Sequence, residues 1–227
     1  MARVGAAAAA RIEPDLRLGL GSGRTVGCFL HALAPRIAAG LRVRAVCTSV
    51  ATEQLARAVG VEILSGESGP LDLDVDGADE LDDALRCLKG GGGALLREKV
   101  VAASSRRLWI LVTAEKRVAR LGTTFALPVE VLPFGWEWTQ ERVRGLGLEP
   151  TRRGGADPVA TDNGNFLLDC RVPGGVTDPA RLDRELHAIP GVIEHGLFLG
   201  LATAALVARG DGVEQIGDLK AVRPGSG

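Results

Sequence analysis

Residues 108–114, "LWILVTA", form an unbroken apolar run. Such a strand has no polar side to give to water and must be covered on both faces, as in a parallel sheet sandwiched between helices. The neighbouring segments agree with that demand. "LRLGL" (16–20) reads as a short strand ending in the glycine turn "GSG", and a helical pattern runs from Arg24 to about Ala39. "LRVRAVCTS" (41–49) alternates apolar and polar residues at period two, as a strand does. "TSVATEQLARAVG" follows as a helix, with Ser49 or Thr52 as N-cap and Gly60 as its stop. "VEILS" and "LDLDVDGAD" read as further strands, residues 94–103 as a helix, and "EKRVARLG" as a short closing helix. Alternation of this kind predicts an α/β unit on a parallel sheet with helices on both faces.

The order changes downstream. "LPVEVLP" (127–133) is a strand and "WEWTQERVRGLG" (136–147) a helix. "LEPTRR" and "NFLLDCRV" are strands joined by a turn-rich segment, "DPARLDRELHAIPG" is a helix and "VIEHGLFLG" a strand. That β-α-β-β-α-β order is the split pattern of an α+β ferredoxin-like unit. The expected division is therefore residues 1–124 with 200–227 as one domain and 125–199 as a smaller second one. "LATAALVARG" is apolar enough to return to the first core, and the final "RPGSG" is expected to fray.

Composition narrows the function. A net charge of −1 makes no electrostatic case for nucleic acid. No apolar stretch is long enough to span a bilayer, and "AAAAA" (6–10) lacks the basic flank of a signal peptide. The four cysteines, Cys28, Cys47, Cys87 and Cys170, are widely spaced without a CxxC pair, which points to reduced core thiols in a cytoplasmic protein. Of 27 basic residues only Lys89, Lys99, Lys116 and Lys220 are lysines, so Lys89 and Lys116 draw attention as places where a compact ammonium is wanted. Survival of a few lysines from a codon bias explains the same fact equally well.

Three stretches carry chemistry. "GLGSGRTV" (19–26) lies at a strand-to-helix turn, where glycines let backbone N–H groups approach an anion and the helix start favours negative charge. It is neither a Walker loop nor GxGxxG, so it suits a bare phosphate, with Ser22 and Thr25 as hydroxyl donors; a tight packing turn explains it as well. "LDLDVDGADELDD" (71–83) nearly fits a calcium loop, but it ends in Asp, puts Asp79 where an apolar residue belongs, and has no entering helix. A strand whose carboxyl end delivers Asp76 and Asp79 into a crevice fits better. In "LKGGGGALLREKVVA" (88–102), a lysine, a turn without side chains and then Glu98 on a new helix are the parts of a site for proton transfer beside a carbonyl. Lys89 would neutralise an oxyanion, and Glu98 would carry the proton if desolvation outweighs the helix dipole, which favours the ionised form. A solvent-facing Glu98 paired with Lys99 or Arg97 is the commoner fate of such a residue. His31, His187 and His195 show no HxxxH or HxH spacing, so no metal is expected, and His195 reads as a core or interface residue. Trp136 and Trp138 read as core or hinge packing.

Taken together, these motifs resemble the ribose-5-phosphate isomerase family, type A. "GLGSGRTV" is similar to its GLGTGST phosphate loop, "DGADELD" to its DGADEID, and "LKGGGGALLREKVVA" is nearly letter-perfect for its third motif. "VTAEKRVARLG", "LPVEVLPFGW", "TDNGNFLLD" and "IPGVIEHGLF" resemble its later blocks in order, so the likeness runs from about Leu16 to about Gly200. The resemblance implies a Rossmann-like domain with a smaller ferredoxin-like one, and interconversion of ribose 5-phosphate and ribulose 5-phosphate through an enediolate without cofactor. It implies Glu98 as catalytic base, and Asp76 in ring opening and hydroxyl proton shuttling. Asp79, Lys89, Gly90, Gly91 and Gly92 match sugar-contacting positions, Lys89 also counting as catalytic. Ser22, Gly23, Arg24, Thr25, Gly77, Ala78 and Lys116 match other substrate-binding positions, including those near the phosphate. The implied partner is a small sugar phosphate, with a homodimer or homotetramer as assembly. Departures are Ser22 for the usual Thr, Arg24 for a usual Ser and His195 for a usual Asn. The family's first helix often carries a phosphate-reaching Lys, where this chain has only Arg3 and Arg11. Arg24 is expected to replace that charge. A non-catalytic sugar-phosphate sensor is the alternative, but no DNA-binding segment is visible and a sensor has no need of Glu98.

Overall fold

The computed structural model of the chain describes residues 1–64 and 69–224. Ser65 of the expected "VEILS" strand and the last three residues of the tail lie outside them. In chain order the elements begin with α1 (Ala2–Ala9), β1 (Arg17–Leu20), α2 (Arg24–Ala38), β2 (Arg44–Cys47), α3 (Val50–Ala58), β3 (Glu62–Ile63) and β4 (Leu73–Gly77). Two short strands, β5 (Glu80–Leu81) and β6 (Cys87–Leu88), precede α4 (Leu95–Ala103) and β7 (Leu108–Thr113). Then come β8 (Leu127–Val131), α5 (Trp136–Arg144), β9 (Glu149–Arg152), β10 (Phe166–Arg171) and α6 (Pro179–His187). The chain closes with β11 (Val192–His195), β12 (Leu197–Phe198), β13 (Ala204–Arg209) and β14 (Gly212–Gly217).

Two units divide this chain: residues 1–78, 97–116 and 200–227 in one, 79–96 and 117–199 in the other. The second therefore takes more than the expected 125–199. The reason is chemical as well as geometric. The Glu80 carboxylate, fully buried, accepts hydrogen bonds from the backbone N–H of Gly122, Thr124 (2.6 Å) and Phe125 (2.8 Å) and from Thr124 Oγ1 (2.7 Å). Removing one partner of a buried, fully bonded carboxylate is costly, so these segments stay together.

The first unit is a seven-stranded sheet in the order β14-β13-β7-β4-β1-β2-β3. All its pairs are parallel except β13 with β14. β7, the apolar run at 108–114, sits inside this sheet with five of its six residues buried, as its composition demands. Its core collects Leu18, Leu20, Leu73 and Val75 from the strands with Val26, Phe29, Leu30 and Leu33 from α2. Each such side chain contributes roughly 1.5–3 kcal/mol by leaving water. Ala8 and Ala9 of the alanine run are buried as part of α1. Ser49, not Thr52, is the N-cap of α3: its hydroxyl accepts from Thr52 N–H at 3.2 Å.

The second unit holds an antiparallel sheet of order β11-β8-β10-β9 and a smaller one of order β12-β6-β5. Leu127, Val129 and Val131 of β8, Leu168 of β10, Val143 of α5 and Leu186 of α6 are buried together. Two expectations fail. "EKRVARLG" is not a helix beyond a short 3-10 turn at Ala114–Lys116. Val118 N–H donates to Leu81 O at 2.9 Å, and Arg117 bridges Leu81 and pairs with Asp83, so this stretch spends its hydrogen bonds on the β5 segment. "VIEHGLFLG" is not one strand: it breaks at Gly196 into β11 and β12, which join different sheets.

Candidate functional site

The strand order of the first sheet reverses beside β1. From β1 the chain continues to β2 on one side, while β4 lies on the other. This is a topological switch point, and open α/β sheets bind ligands beyond the carboxyl ends of the strands there. The "GLGSGRTV" loop leaves β1 at that point and Asp76 stands near the end of β4. Asp76 is 1% exposed, and its Oδ1 accepts from Ser22 N–H (3.3 Å) and Gly77 N–H (2.7 Å). Gly21 makes the approach possible, since a Cβ there would lie 1.9 Å from Asp76 Cγ. Thr52 Oγ1 donates to Gly21 O (2.9 Å), and Ser22 Oγ lies 2.7 Å from Thr48 Oγ1, so the loop is held from the β2–α3 side.

The loop opens α2 with Gly23 in the left-handed region (φ 89°) and no side-chain cap on the first turn. Its leading N–H groups are thus available to an anion. Arg24 is exposed as the first residue of that helix, and Thr25 is half-buried beside Gly77. Gly77 and Ala78 carry the chain out of β4 and are half-buried. Lys116 ends the 3-10 turn that follows β7, on the same carboxyl edge, because β7 runs parallel to β4. Glu98 is the fourth residue of α4 and only 5% exposed, so the solvent-facing alternative is overturned.

Within the second unit the glycine run is tied down on both sides of its backbone. Asp79 Oδ2 accepts from Gly91 N–H at 2.8 Å. Gly90 (φ 104°) adopts a conformation that favours glycine, and a Cβ there would meet Leu95 at 2.8 Å. Among the described residues nothing lies within 4 Å of where a Gly92 Cβ would be, so the run is bare on that side. Lys89 is 3% exposed, donates its backbone N–H to Gly196 O (2.9 Å) and holds Nζ 5.3 Å from the centre of the Phe198 ring.

Sequence reasoning missed three residues. Arg153 donates to the carbonyls of Gly90 (3.2 and 3.3 Å) and Gly91 (3.2 Å) while its other N–H groups grip Asp169 at 2.9 and 2.6 Å. An Arg sixty residues from the glycine run has no local signature; only folding brings it there. Glu80 is hidden inside an acidic string. Glu130, fully buried, accepts from Thr161 Oγ1 (2.9 Å), Asn163 Nδ2 (3.2 Å) and Asn165 Nδ2 (2.9 Å), which accounts for the threonine and the two asparagines of "TDNGN". Trp138 corrects another expectation: it is 72% exposed, not packed. The four cysteines are free, and burial pushes the Cys47 thiol up to about 12 and Cys170 higher still, so neither is a thiolate near neutral pH.

Comparison with known proteins converges on one group. Residues 44–212 match the family of ribose 5-phosphate isomerase A (phosphoriboisomerase A). Ribose-5-phosphate isomerase A of Thermomicrobium roseum is 46% identical over 210 residues, covering 91% of this chain and 88% of its own. That of Bartonella quintana is 46% identical over 218 residues, covering 92% of both. The ribose 5-phosphate isomerase A structure from Methanocaldococcus jannaschii superposes with a TM-score of 0.90 at 32% identity, covering 96% of this chain and 97% of that one. A D-ribose-5-phosphate isomerase structure in complex with phospho-erythronic acid gives 0.91 at 33% identity, with the same coverage. Identity at this level over nearly the whole length, on a fold with its glycine loop at the switch point, decides the matter: the chain belongs to the ribose 5-phosphate isomerase A family.

Proposed function

We propose that this chain interconverts D-ribose 5-phosphate and D-ribulose 5-phosphate, the aldose–ketose isomerisation of the non-oxidative pentose phosphate pathway. The two sugars are isomers, so the reaction moves protons and needs no external oxidant. Glu98 takes the proton from the second carbon of the opened aldose. The released electron pair passes toward the aldehyde oxygen and forms an enediolate, whose charge Lys89 neutralises. A proton passes from the second-carbon hydroxyl to the first-carbon oxygen, and the acid form of Glu98 delivers its proton to the first carbon, leaving a ketone at the second. Asp76 assists ring opening and hydroxyl proton transfer. Asp79 and Gly90 to Gly92 contact the sugar, while Ser22, Gly23, Arg24, Thr25, Gly77, Ala78 and Lys116 bind the rest of the substrate and its phosphate.

The observation that carries this reading is the burial of Glu98 on α4 in a chain of this family. Desolvation disfavours a charged carboxylate and so strengthens it as a base near neutral pH. The test is incubation of purified protein with ribose 5-phosphate while ketose is followed. Turnover without added metal or cofactor is the expected result; tight binding without turnover would favour a sensor.

The seven-stranded unit is proposed as Rossmann-like, and the β8-α5-β9-β10-α6-β11 run as ferredoxin-like, supported by its antiparallel sheet order. A homodimer or homotetramer is supported by the exposure of Phe134 (81%) and Trp138. A cytoplasmic location is supported by the free thiols; among the described residues no helix is long and apolar enough to cross a membrane.

Two predictions bear on binding and positioning. Arg24→Ser should raise KM for ribose 5-phosphate about tenfold with kcat little changed, since a charge-assisted phosphate contact contributes roughly 1.5–3 kcal/mol. An unchanged KM in steady-state kinetics would reject Arg24 as the phosphate's partner. Arg153→Lys keeps the charge but loses the planar fork that reaches both carbonyls and Asp169. It should lower kcat by about tenfold, because misplacing a floor by even a fraction of about 1 Å is expensive. The melting temperature should stay close to the parent's, and kcat at the parent value would remove Arg153 from this role.

A further inference from the structure

α6 and β11 bring the two histidines of the second unit together. His195 Nε2 lies 3.2 Å from Asp183 Oδ1 and 3.3 Å from His187 Nδ1, and His187 Nδ1 lies 3.7 Å from Asp183 Oδ1. The nearest point equidistant from three atoms so spaced lies in their plane about 2.0 Å from each, and a point about 0.7 Å out of that plane, where a four-coordinate ion sits, is about 2.1 Å from each; both match zinc bonded to imidazole nitrogen and carboxylate oxygen. The edges of a tetrahedron of such bonds are about 3.3 Å, close to the separations found. His195 is fully buried and His187 exposed, so a cation would rest on a packed floor with one side open to water for a fourth ligand. Glu194 Oε1 stands 3.2 Å from His187 Nε2, the outer nitrogen. A carboxylate in that place orients a ligand histidine and makes its inner nitrogen a better donor.

We propose that Asp183, His187 and His195 form a binding site for one divalent transition-metal ion, zinc foremost, which staples α6 to β11. Two imidazoles with one carboxylate favour zinc over magnesium or calcium, which prefer all-oxygen shells. The chemistry of loading is explicit. In the protein as it stands His187 Nδ1 contacts Asp183 O at 3.0 Å, and Leu197 N–H points at His195 Nδ1 from 3.3 Å. Binding exchanges the first contact for the metal. It also moves a proton within each ring: in His187 from Nδ1 to Nε2, where the Glu194 carboxylate accepts it, and in His195 from Nε2 to Nδ1, at the expense of the long Leu197 contact. The sequence hides this site because the first member of the i, i+4 pair on the helix is Asp rather than His, and the third ligand lies eight residues on, across a turn.

The test is zinc titration of chelator-treated protein by calorimetry, repeated with cobalt(II) to read its visible absorption. The full chain is expected to take up one ion, show the absorption of a four-coordinate nitrogen/oxygen site and gain several degrees in melting temperature. Asp183→Asn, His187→Gln and His195→Asn should each weaken uptake at least tenfold while leaving kcat on ribose 5-phosphate unchanged. Asp183→Asn and His187→Gln alter partly exposed residues, so they keep the test valid if the buried substitution disturbs folding. No uptake by the parent protein, or equal uptake by Asp183→Asn and His187→Gln, would overturn the site.

Discussion

Replacing Glu98 by Gln is expected to lower kcat on ribose 5-phosphate by about two orders of magnitude or more, the usual scale for a lost acid–base group. Gln has the shape of Glu and can still hydrogen-bond, so KM and the melting temperature should hold near the parent values. What it cannot do is accept a proton from carbon. The side chain is buried on α4, so the substitution also removes a desolvated charge and should not weaken the fold. Steady-state ketose formation reads the rate, and exchange of the substrate's second-carbon hydrogen with deuterated solvent reads the chemistry directly. Both should collapse together. Undiminished turnover would discard Glu98 as the base.

Lys89→Ala is expected to cost about 10²–10³ in kcat, the range seen when one oxyanion partner is removed. Lys89 is buried even more fully than Glu98, and its ammonium stands near the Phe198 ring. Truncation removes packing as well as charge, so Lys89→Met is the informative companion. Met fills the volume of the stem without an ammonium and should recover the melting temperature but not the rate. The backbone bond from Lys89 to Gly196 is untouched in either variant. Parent kinetics in Lys89→Met would remove the lysine from the site, whereas recovery of the rate in Met but not in Ala would assign it a packing role only.

Much of the fold was legible because periodicity reports burial. β1, α2, β4, α4 and β7 all lie where the apolar patterns put them, since each must hide one face or two. The errors share a cause. "EKRVARLG" has helical periodicity, yet its N–H groups are claimed by Leu81 and the neighbouring turn by Glu80, partners far away in the chain. An apparently continuous strand breaks at Gly196 because the chain there passes from β8, through the Pro128 carbonyl, to β6, through the Lys89 N–H, and only glycine fits, since a Cβ would lie 2.2 Å from Lys89 O. The β5, β6 and β12 strands are two residues each and too short to carry a pattern.

What the sequence determined by itself is the set of chemical parts. The glycine loop, the Asp76 strand end, the bare run after Lys89 and the helix bearing Glu98 are all local, and local steric and hydrogen-bonding rules are enough to read them. Tertiary structure alone decided which parts are withdrawn from water and which distant residues hold them. The burial of Glu98, the grip of Arg153 on Gly90 and Gly91 and the meeting of His187 with His195 depend on contacts between separate elements. Solvation and partner geometry are properties of the packed chain, so no window of neighbouring letters encodes them.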